Sequence, residues 1–217
     1  KGALLANLPG ANATRPAAGH RSCTRGISMA MLSREDIEAL GFFSIGENLQ
    51  ISDRASFYGV ERISLGSNVR IDDFCVVSAG VGGICIGDHV HVAVYSSMIG
   101  AGKITLSDFC NISSRVSVYS SNDDYSGAAM TNPTVPAEYT RVTHADVFMA
   151  KHVIIGCGSI VLPGVVLEEG VAIGALSLIN KSCKAFGIYA GNPAKRIKER
   201  KRDLLEVERR FKTTKSI

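Results

Sequence analysis

Carboxylates and imidazoles are the side chains of this chain that are best suited to moving protons. The chain has five histidines, and two adjacent acids, Asp123 and Asp124, open a polar stretch rich in Ser, Asn and Pro. Removing a proton from an attacking group needs a base whose pKa lies near the working pH, which favours His over a carboxylate in a polar loop. A nearby carboxylate can then orient the imidazole ring. The sequence therefore predicts general-base chemistry from a His and an Asp near residue 123.

His91 is the predicted general base, and Asp123 is predicted to be its partner or a ligand of the acceptor sugar. In the repeat pattern described below, His91 belongs to the coil that precedes the one from which the polar stretch departs. We therefore expect His91 to face the same cleft as Asp123. His144, within the stretch, is the alternative base, and Asp123 would itself be the base if burial raised its pKa. Polar residues near this point are expected to bind the substrate: Asp124, Tyr125, Asn111, Arg115 and His144. The other histidines are expected to be structural or to lie outside the repeats: His20, His89 and His152.

An apolar residue returns every six positions along most of the chain, in groups of three. The eighteen positions are Ile45, Ile51, Phe57, Leu65, Ile71, Val77, Ile86, Val92, Met98, Leu106, Ile112, Val118, Met149, Ile155, Val161, Leu167, Ile173 and Ile179. This period matches neither the 3.6 residues of an amphipathic helix nor the two residues of a half-buried strand. The pattern predicts an all-β fold, a left-handed parallel β-helix of about six triangular coils with one apolar rung on each face.

The ladder of rungs breaks once. Val118 and Met149 are 31 residues apart instead of six. The excess residues are polar and rich in turn formers, which predicts an exposed loop over 119–148, extruded from a β-helix domain that spans 43–181. Binding and catalytic residues are often placed on loops that a rigid scaffold positions, so this loop is expected to contribute to the site.

A short helix is predicted before the first coil, in residues 31–42. Ser33 and Asp36 have the spacing of a capping box, and Gly41 is a typical helix stop, so the helix is expected over 34–40. Its expected role is to cover the open edge of the first coil.

The two ends of the chain differ in composition. Residues 182–217 are expected to close the far end of the solenoid and to form a basic helix from about Lys195 to Lys212. Residues 1–30 have no periodicity, so we expect a leader outside the folded unit, with a transit peptide as the alternative.

Composition argues against several classes of function. No run of eighteen apolar residues is present, so membrane insertion is not expected. From Lys181 onward the chain has twelve Lys and Arg against four acids, within a net charge of +4. Few aromatic residues accompany this charge, which favours an anionic cofactor or a solvated helix over nucleic acid. The six cysteines have no zinc-site spacing, so no metal is expected, and they indicate a reducing, cytoplasmic location.

Several features together resemble the hexapeptide-repeat acetyltransferases: the hexad ladder, the single loop, the stretch IIGCGSIVLPGVVLEEGVAIGALSLINKS and the closing YAGNPAKRIK. Similar members are the galactoside, maltose and xenobiotic O-acetyltransferases and the O-antigen sugar acetyltransferases. The resemblance covers about residues 43–200. It implies acetyl-CoA as co-substrate, a homotrimer, and active sites between neighbouring subunits. Galactoside-type members hold a catalytic His where this chain has Asp123, so the base departs from that pattern.

The resemblance also implies a binding place for CoA. The pantetheine arm would lie along a groove between coils of adjacent subunits, beside small corner residues, and basic residues after the closing Pro would hold the nucleotide phosphates. The matching residues are Cys157, Ala175, Asn180, Lys181, Lys195 and Lys198. The positive charge of this part of the chain agrees with phosphate binding.

The sequence thus favours an acetyl-CoA-dependent O-acetyltransferase in which a sugar hydroxyl attacks the thioester directly, because Cys157 has no paired base that would make it a nucleophile. The alternative is N-acetylation of a nucleotide-linked amino sugar, for which a weaker base suffices because an amine is already nucleophilic. Two further classes use this fold. A zinc-dependent β-helix of the γ-carbonic-anhydrase type does not fit the histidine spacing. A non-enzymatic trimeric scaffold does not account for the long polar loop and the basic C-terminal segment.

Overall fold

Every third strand of the chain returns to the same sheet, and this recurrence builds a triangular solenoid of six coils. The computed structural model describes residues 31–215, so the predicted leader over 1–30 lies outside the described residues. The first face contains Ser44–Ile45, Ile63–Leu65, Ile84–Ile86, Ile104–Leu106, Val147–Met149 and Val166–Leu167. The second face contains Gln50–Ile51, Arg70–Ile71, His91–Val92, Asn111–Ile112, Ile154–Ile155 and Ala172–Ile173. The third face contains Ser56–Tyr58, Val76–Ala79, Ser97–Gly100, Ser117–Tyr119, Ile160–Val161 and Leu178–Ile179.

The predicted rungs stack in register along each face, which confirms the left-handed parallel β-helix. On the second face, for example, Ile112 is in register with Val92 in the preceding coil and with Ile155 in the next. The rungs are buried, apart from Ile45 and Phe57 in the first coil, which are half-buried. Burying each aliphatic side chain contributes roughly 1.5–3 kcal/mol, so the rungs fix the register and therefore which outward side chains are neighbours.

Three columns of corner residues join the faces. The first–second corner includes Asn68, His89, Phe109 and His152; the second–third corner includes Phe74, Tyr95, Arg115, Gly158 and Leu176; the third–first corner includes Gly59, Gly100 and Ser120. Many of them turn the chain with a left-handed backbone conformation, such as Tyr95 with a φ of 62°. Because the faces are in register, each corner column runs parallel to the solenoid axis.

The N-terminal helix forms as predicted and is one residue shorter, Arg34–Ala39. Both halves of the capping box are made: the Ser33 side chain accepts the N–H of Asp36 at 3.1 Å, and the Asp36 carboxylate accepts the N–H of Ser33 at 3.1 Å. Ile37 is 1% exposed and belongs to the main core. The helix therefore covers the first coil.

The C-terminal segment differs from the prediction of one helix from Lys195. Gly187–Ala190 first adds a strand to the second face, parallel to the strand of the sixth coil, and Lys195–Glu199 pairs antiparallel with it. The helix is Asp203–Lys215. After the sixth coil the edge of the second face presents unpaired backbone N–H and C=O groups. The free energy gained by pairing this edge exceeds the helix propensity of Lys-Arg-Ile-Lys-Glu, so this segment forms a strand. Neither helix described here has the length and hydrophobicity that crossing a bilayer would require.

The C-terminal helix packs on the first–second corner. There the rings of His89, Phe109 and His152 stack in successive coils, with centroids 5.0 and 5.1 Å apart. Phe211 crosses this stack edge to face, 5.3 Å from His89 and 6.2 Å from Phe109. Both histidines thus have structural contacts, on a corner that the helix covers.

Glu208 anchors the same helix electrostatically. Its carboxylate accepts a hydrogen bond from Lys151 Nζ at 2.8 Å, and it lies 2.7 Å from His152 Nε2 and 2.7 Å from Lys212 Nζ. Burial alone would raise the pKa of Glu208, but these three partners outweigh it and lower the pKa to about 2. The carboxylate therefore stays ionised well into the acidic range.

The extruded loop is slightly shorter than the predicted 119–148, because Tyr119 and Val147–Met149 belong to strands that pair with the preceding coil. Its stem is an antiparallel pair, Ser121–Asn122 with Thr143–His144. Single turns of 3-10 helix occur at Val60–Arg62, between the first and second coils, and at Ala137–Tyr139 in the loop.

Replacing Glu208 by Gln should loosen the C-terminal helix without unfolding the coils. The folded-state pKa of about 2 lies below the ordinary 4.5, so the stabilisation is present above about pH 4.5 and is lost as the pH falls toward 2. Amide hydrogen exchange should show lower protection over 203–215 in Glu208→Gln at neutral pH, and in the wild-type chain on acidification. Glu206→Gln is the matched control, because Glu206 pairs with Arg209 within the exposed helix surface. Unchanged protection in Glu208→Gln would show that the Phe211 contact alone holds the helix.

Candidate active site

The loop leaves the third–first corner on a fixed stem. Ser120 Oγ donates to the carbonyl of Gly102 at 2.7 Å, and Ser121 Oγ accepts the backbone N–H of Ala101 at 2.7 Å. Ser121 Oγ also lies 2.8 Å from Nδ1 of His144. The structure therefore places His144 in the stem, where one ring nitrogen is engaged in holding the two loop ends together.

The acids at the start of the loop line two cavities, of about 570 and 350 Å³, together with Tyr125. The carboxylate of Asp124 accepts the N–H of Ser126 at 2.8 Å through Oδ1. Its Oδ2 is buried and has no hydrogen-bond partner among the described residues. Hydrogen bonds from Ser126, with nearby Arg141, hold the pKa of Asp124 below its usual value. Asp124 is thus an oriented anion whose Oδ2 suits an N–H donor.

His91 projects from the second face and is paired with Asp72. His91 Nε2 lies 2.8 Å from Asp72 Oδ2, and Arg70 Nε donates to Asp72 Oδ1 at 2.7 Å. Burial alone would raise the pKa of Asp72, but the hydrogen bonds from Arg70 and His91 outweigh it and lower the pKa. An ionised Asp72 orients the imidazole ring. Asn111 is the in-register neighbour of His91 in the next coil.

The second face lies opposite the third–first corner of each triangular coil. Asp123 leaves from that corner, whereas His91 projects from that face, so one chain does not bring the two side chains together. The pairing of His91 with Asp123 therefore stays a prediction for a cleft between subunits, and one chain supplies a different carboxylate to His91. Asp72 takes that place, because the register of the second face puts it next to the ring of His91.

Two of the predicted CoA residues lie together at the second–third corner. Cys157 and Ala175 occupy successive coils, and Cys157 accepts the N–H of Leu176 at 2.9 Å through its carbonyl. A Cβ on Gly156 would come within 2.5 Å of the backbone N of Ala175, so the backbones approach closely here. Cys157 is exposed, and small side chains leave this corner accessible. Arg115 lies on the same corner one coil earlier than Cys157.

The other predicted CoA residues lie elsewhere on the chain. Asn180 and Lys181 follow the last strand of the third face and so lie toward the third–first corner. Lys195 and Lys198 are exposed on the antiparallel strand, with Lys195 opposite Ala190 at the end of the second face. One chain therefore separates these residues into two groups.

The structure adds three residues to the surroundings of His91 and Arg115 that the sequence analysis did not select. Asp72 directly follows the rung Ile71, and Phe74 and Tyr95 share the corner column of Arg115. Alignment of the hexads, coil over coil, would reveal all three as neighbours of His91 or Arg115. Within residues 31–215 no group of three His, Cys, Asp or Glu side chains has a metal-binding arrangement.

Comparison with known proteins places the chain among acyltransferases. It is 61% identical over 184 residues to the dTDP-4-amino-4,6-dideoxy-D-glucose acyltransferase of Escherichia coli, a match that covers 85% of this chain and 96% of that protein. The solved structure of AntD, an N-acyltransferase from Bacillus cereus, in complex with dTDP and 3-hydroxybutyryl-CoA is 44% identical, with a TM-score of 0.83, and covers 86% of this chain and 98% of AntD. A mutant of AntD has been solved with dTDP-4-amino-4,6-dideoxyglucose and coenzyme A. No protein-family model matches the chain.

These relatives correct one expectation from the sequence. The predicted transfer of the acyl group to a sugar hydroxyl is wrong. The two relatives that this chain covers almost completely are an acyltransferase for an amino sugar and an N-acyltransferase. A maltose O-acetyltransferase from Clostridium difficile is only 20% identical, with a TM-score of 0.53, and shares the fold alone. The ladder and the closing motif specify the scaffold and not the acceptor atom. The chain belongs to the hexapeptide-repeat acyltransferases.

Proposed function

We propose that this chain transfers an acyl group, acetyl being the expected one, from acyl-CoA to the amino group of a dTDP-linked 4-amino-4,6-dideoxyhexose. The observation that carries the proposal is the 61% identity with the E. coli acyltransferase for that amino sugar, over 96% of its length. The 44% identical AntD, solved with the amino sugar nucleotide and CoA, supports the same pair of substrates.

The chemistry of amide formation suits the groups that this chain offers. The neutral amine attacks the thioester carbonyl carbon, a tetrahedral intermediate forms, and the C–S bond breaks to release CoA as the thiolate, which takes up a proton. One proton must leave the attacking nitrogen for a base. Because an amine is a better nucleophile than a hydroxyl, a carboxylate serves here where a sugar hydroxyl would favour an imidazole.

The two acids of the loop are assigned different roles. Asp124 has a lowered pKa and its Oδ2 has no hydrogen-bond partner among the described residues, so it would accept an N–H of the neutral sugar amine and fix its orientation. Asp123 would accept the proton as the nitrogen attacks. Tyr125 lines the same cavities and would contact the sugar ring.

The site requires more than one chain. Asp123 and His91 lie on opposite sides of a coil, so a substrate that meets both must lie between two copies. The proposed homotrimer, with a cleft between the loop of one subunit and the second face of its neighbour, satisfies this requirement. In that cleft His91, held by Asp72, would assist proton removal, and Asn111 and Arg115 would bind the acceptor.

CoA would lie along the second–third corner. The pantetheine arm would run beside Cys157 and Ala175, where small residues leave the backbone accessible, and Lys195 and Lys198 would hold the phosphates. Asn180 and Lys181, near the third–first corner, would complete the groove from the adjacent subunit.

A reducing, cytoplasmic location is part of the proposal. The five described cysteines are free thiols. Burial raises the pKa of Cys75 to about 11, of Cys110 to about 12 and of Cys183 to about 11, so these thiols stay protonated and unreactive. Their occurrence as core residues is typical of an intracellular protein.

The acceptor atom decides the proposed function. Purified protein should release CoA thiol and form an amide with acetyl-CoA and dTDP-4-amino-4,6-dideoxyglucose, as followed by thiol titration and mass spectrometry. The matched 4-hydroxy analogue should give no product above background, because its proton is much harder to remove at neutral pH. Comparable turnover of the hydroxyl compound would contradict the proposal.

Exchange of each acid for its amide should separate binding from proton transfer. Asp123→Asn should lower kcat about 10²–10⁴-fold, the usual contribution of a positioned base. Asp124→Asn should act mainly on KM for the amino sugar, raising it roughly 10–100-fold through loss of a charge-assisted hydrogen bond. Glu138→Gln, an acid elsewhere in the loop, is the control and should leave both constants unchanged. The assignment fails if Asp124→Asn lowers kcat while Asp123→Asn does not.

Mixed assemblies test whether the site spans two chains. His91→Ala and Asp123→Asn homotrimers should each be strongly impaired. Random co-assembly of the two in equal amounts should restore about a quarter of wild-type activity, because about three quarters of the trimers are mixed and each has one intact site of three. Differently tagged subunits allow activity and composition to be measured on the same sample. Mixed trimers that stay inactive, or a monomer by light scattering, would contradict the intersubunit site.

A further inference from the structure

A column of aromatic and cationic side chains runs along the second–third corner. Arg54, Phe74, Tyr95 and Arg115 occupy equivalent positions in the first four coils, because the strands that follow them are in register. The rings of Phe74 and Tyr95 stack with centroids 5.0 Å apart and an angle of 14°. Arg54 lies 5.7 Å from the centroid of Phe74, and Arg115 lies 5.8 Å from that of Tyr95. The guanidinium groups cover the outer ring faces and leave the ring edges open.

The aromatic column at the first–second corner is covered by the C-terminal helix. Its contact with Phe211 shows which kind of group packs against the edges of stacked rings. At the first–second corner, the stacked rings of His89 and Phe109 are crossed by Phe211, whose plane is 81–83° from theirs. At the second–third corner, Phe74 is 44% and Tyr95 is 52% exposed. The described residues supply no equivalent of Phe211 there. Ring edges carry partial positive charge, so a planar π-system laid across them is a favourable partner.

The charges at this column restrict the occupant further. Arg54 lies 3.4 Å from the carboxylate of Asp73, so its charge is partly balanced. Arg115 has no carboxylate within ion-pair distance in residues 31–215. A partner with a planar ring and an adjacent anionic group matches open ring edges beside an unbalanced guanidinium. A nucleotide has both, and Arg is suited to phosphate recognition because its donors form a planar fork.

The column also lies at a suitable distance from the proposed CoA groove. Tyr95 and Cys157 are on the same corner, two coils apart. Successive coils are about 4.8 Å apart, which leaves about 10 Å for a sugar next to Arg115, between the base on one side and the thioester on the other.

We infer that the Phe74–Tyr95 edge and Arg115 form the subsite for the thymidine diphosphate half of the acceptor. The thymine lies across the two ring edges, as Phe211 does at the other corner, and Arg115 binds the diphosphate. This inference rests on the proposed function, since it supposes that a nucleotide-linked sugar is the acceptor. It assigns specificity for the nucleotide to the scaffold and leaves recognition of the amino group to the loop.

Because the chain has no Trp, a single substitution gives a unique fluorophore at the column. In Tyr95→Trp, added dTDP should change the Trp emission in a saturable way, with a midpoint that matches the dissociation constant from calorimetry. The matched control is Phe109→Trp, which places the fluorophore in the covered column at the first–second corner. Its emission should not respond to dTDP. A response of Phe109→Trp without one of Tyr95→Trp would overturn the assignment.

Calorimetry with dTDP alone, without sugar or acyl group, provides the quantitative test. Tyr95→Ala should weaken dTDP binding roughly 5- to 100-fold, the range found when a side chain that contacts a base is removed. Arg115→Ala should weaken dTDP more than thymidine, and CoA affinity should be unchanged in both variants. Phe109→Ala should bind dTDP as the wild type does.

The remaining outcomes distinguish a wrong subsite from a wrong proposed function. If the wild-type chain binds dTDP and Tyr95→Ala and Arg115→Ala bind it equally well, the subsite is wrong while the proposed function stands. If these variants fall to monomers by light scattering, the column is a contact between subunits and the subsite is again wrong. A wild-type chain that binds CoA but not dTDP would overturn the proposed function, and this assignment with it.

Discussion

The return of each triangular coil onto the preceding one constrains every other feature of this molecule. Backbone N–H and C=O groups of one coil must pair with the next, and the apolar rung of each strand must point inward. A shift of one residue within a face would turn its rung toward solvent, so the faces do not tolerate insertions. Additional chain can be inserted only at a corner. The long loop obeys this rule, since it leaves and re-enters at the third–first corner, where the N–H of Ala145 donates to the carbonyl of Ser120 at 3.0 Å.

The same constraint separates the chemically useful groups. In-register stacking gathers residues from distant parts of the sequence into columns, such as the His91 neighbourhood on the second face and the aromatic column at the second–third corner. It also holds columns on different sides of the prism apart, because the coil is rigid and filled by its own rungs. Asp124 and His91 therefore cannot approach each other through a local movement of the chain. Only a second copy could bring such a face next to that corner, which is why the proposed site lies between subunits.

The parts of this structure that were predictable from the sequence depend on strictly local or strictly periodic signals. The rungs were found because their burial repeats every six residues, and the capping box of Ser33 and Asp36 was found because both partners lie within one turn. The strand Lys195–Glu199 was not found, because its stability comes from the open edge of a sheet completed by Gly187–Ala190. The carboxylate next to His91 within the chain was not predicted, because Asp72 comes from the preceding coil. The two residues are 19 positions apart in the sequence, and only the register between successive coils makes them neighbours.

The acceptor atom could not be read from the repeats for a different physical reason. The repeats encode backbone closure and burial of the rungs, and both requirements are the same whether oxygen or nitrogen attacks a thioester. What differs is the difficulty of removing the proton, and that is decided by a few side chains outside the ladder. Asp123 occupies the position at which the resemblance to galactoside-type enzymes implies a His. For the proposed amine acceptor the demand on the base is smaller because the amine is already nucleophilic, and the carboxylate of Asp124 could accept a hydrogen bond from its N–H. An Asp at this position is thus compatible with the amino-sugar acceptor that the relatives indicate.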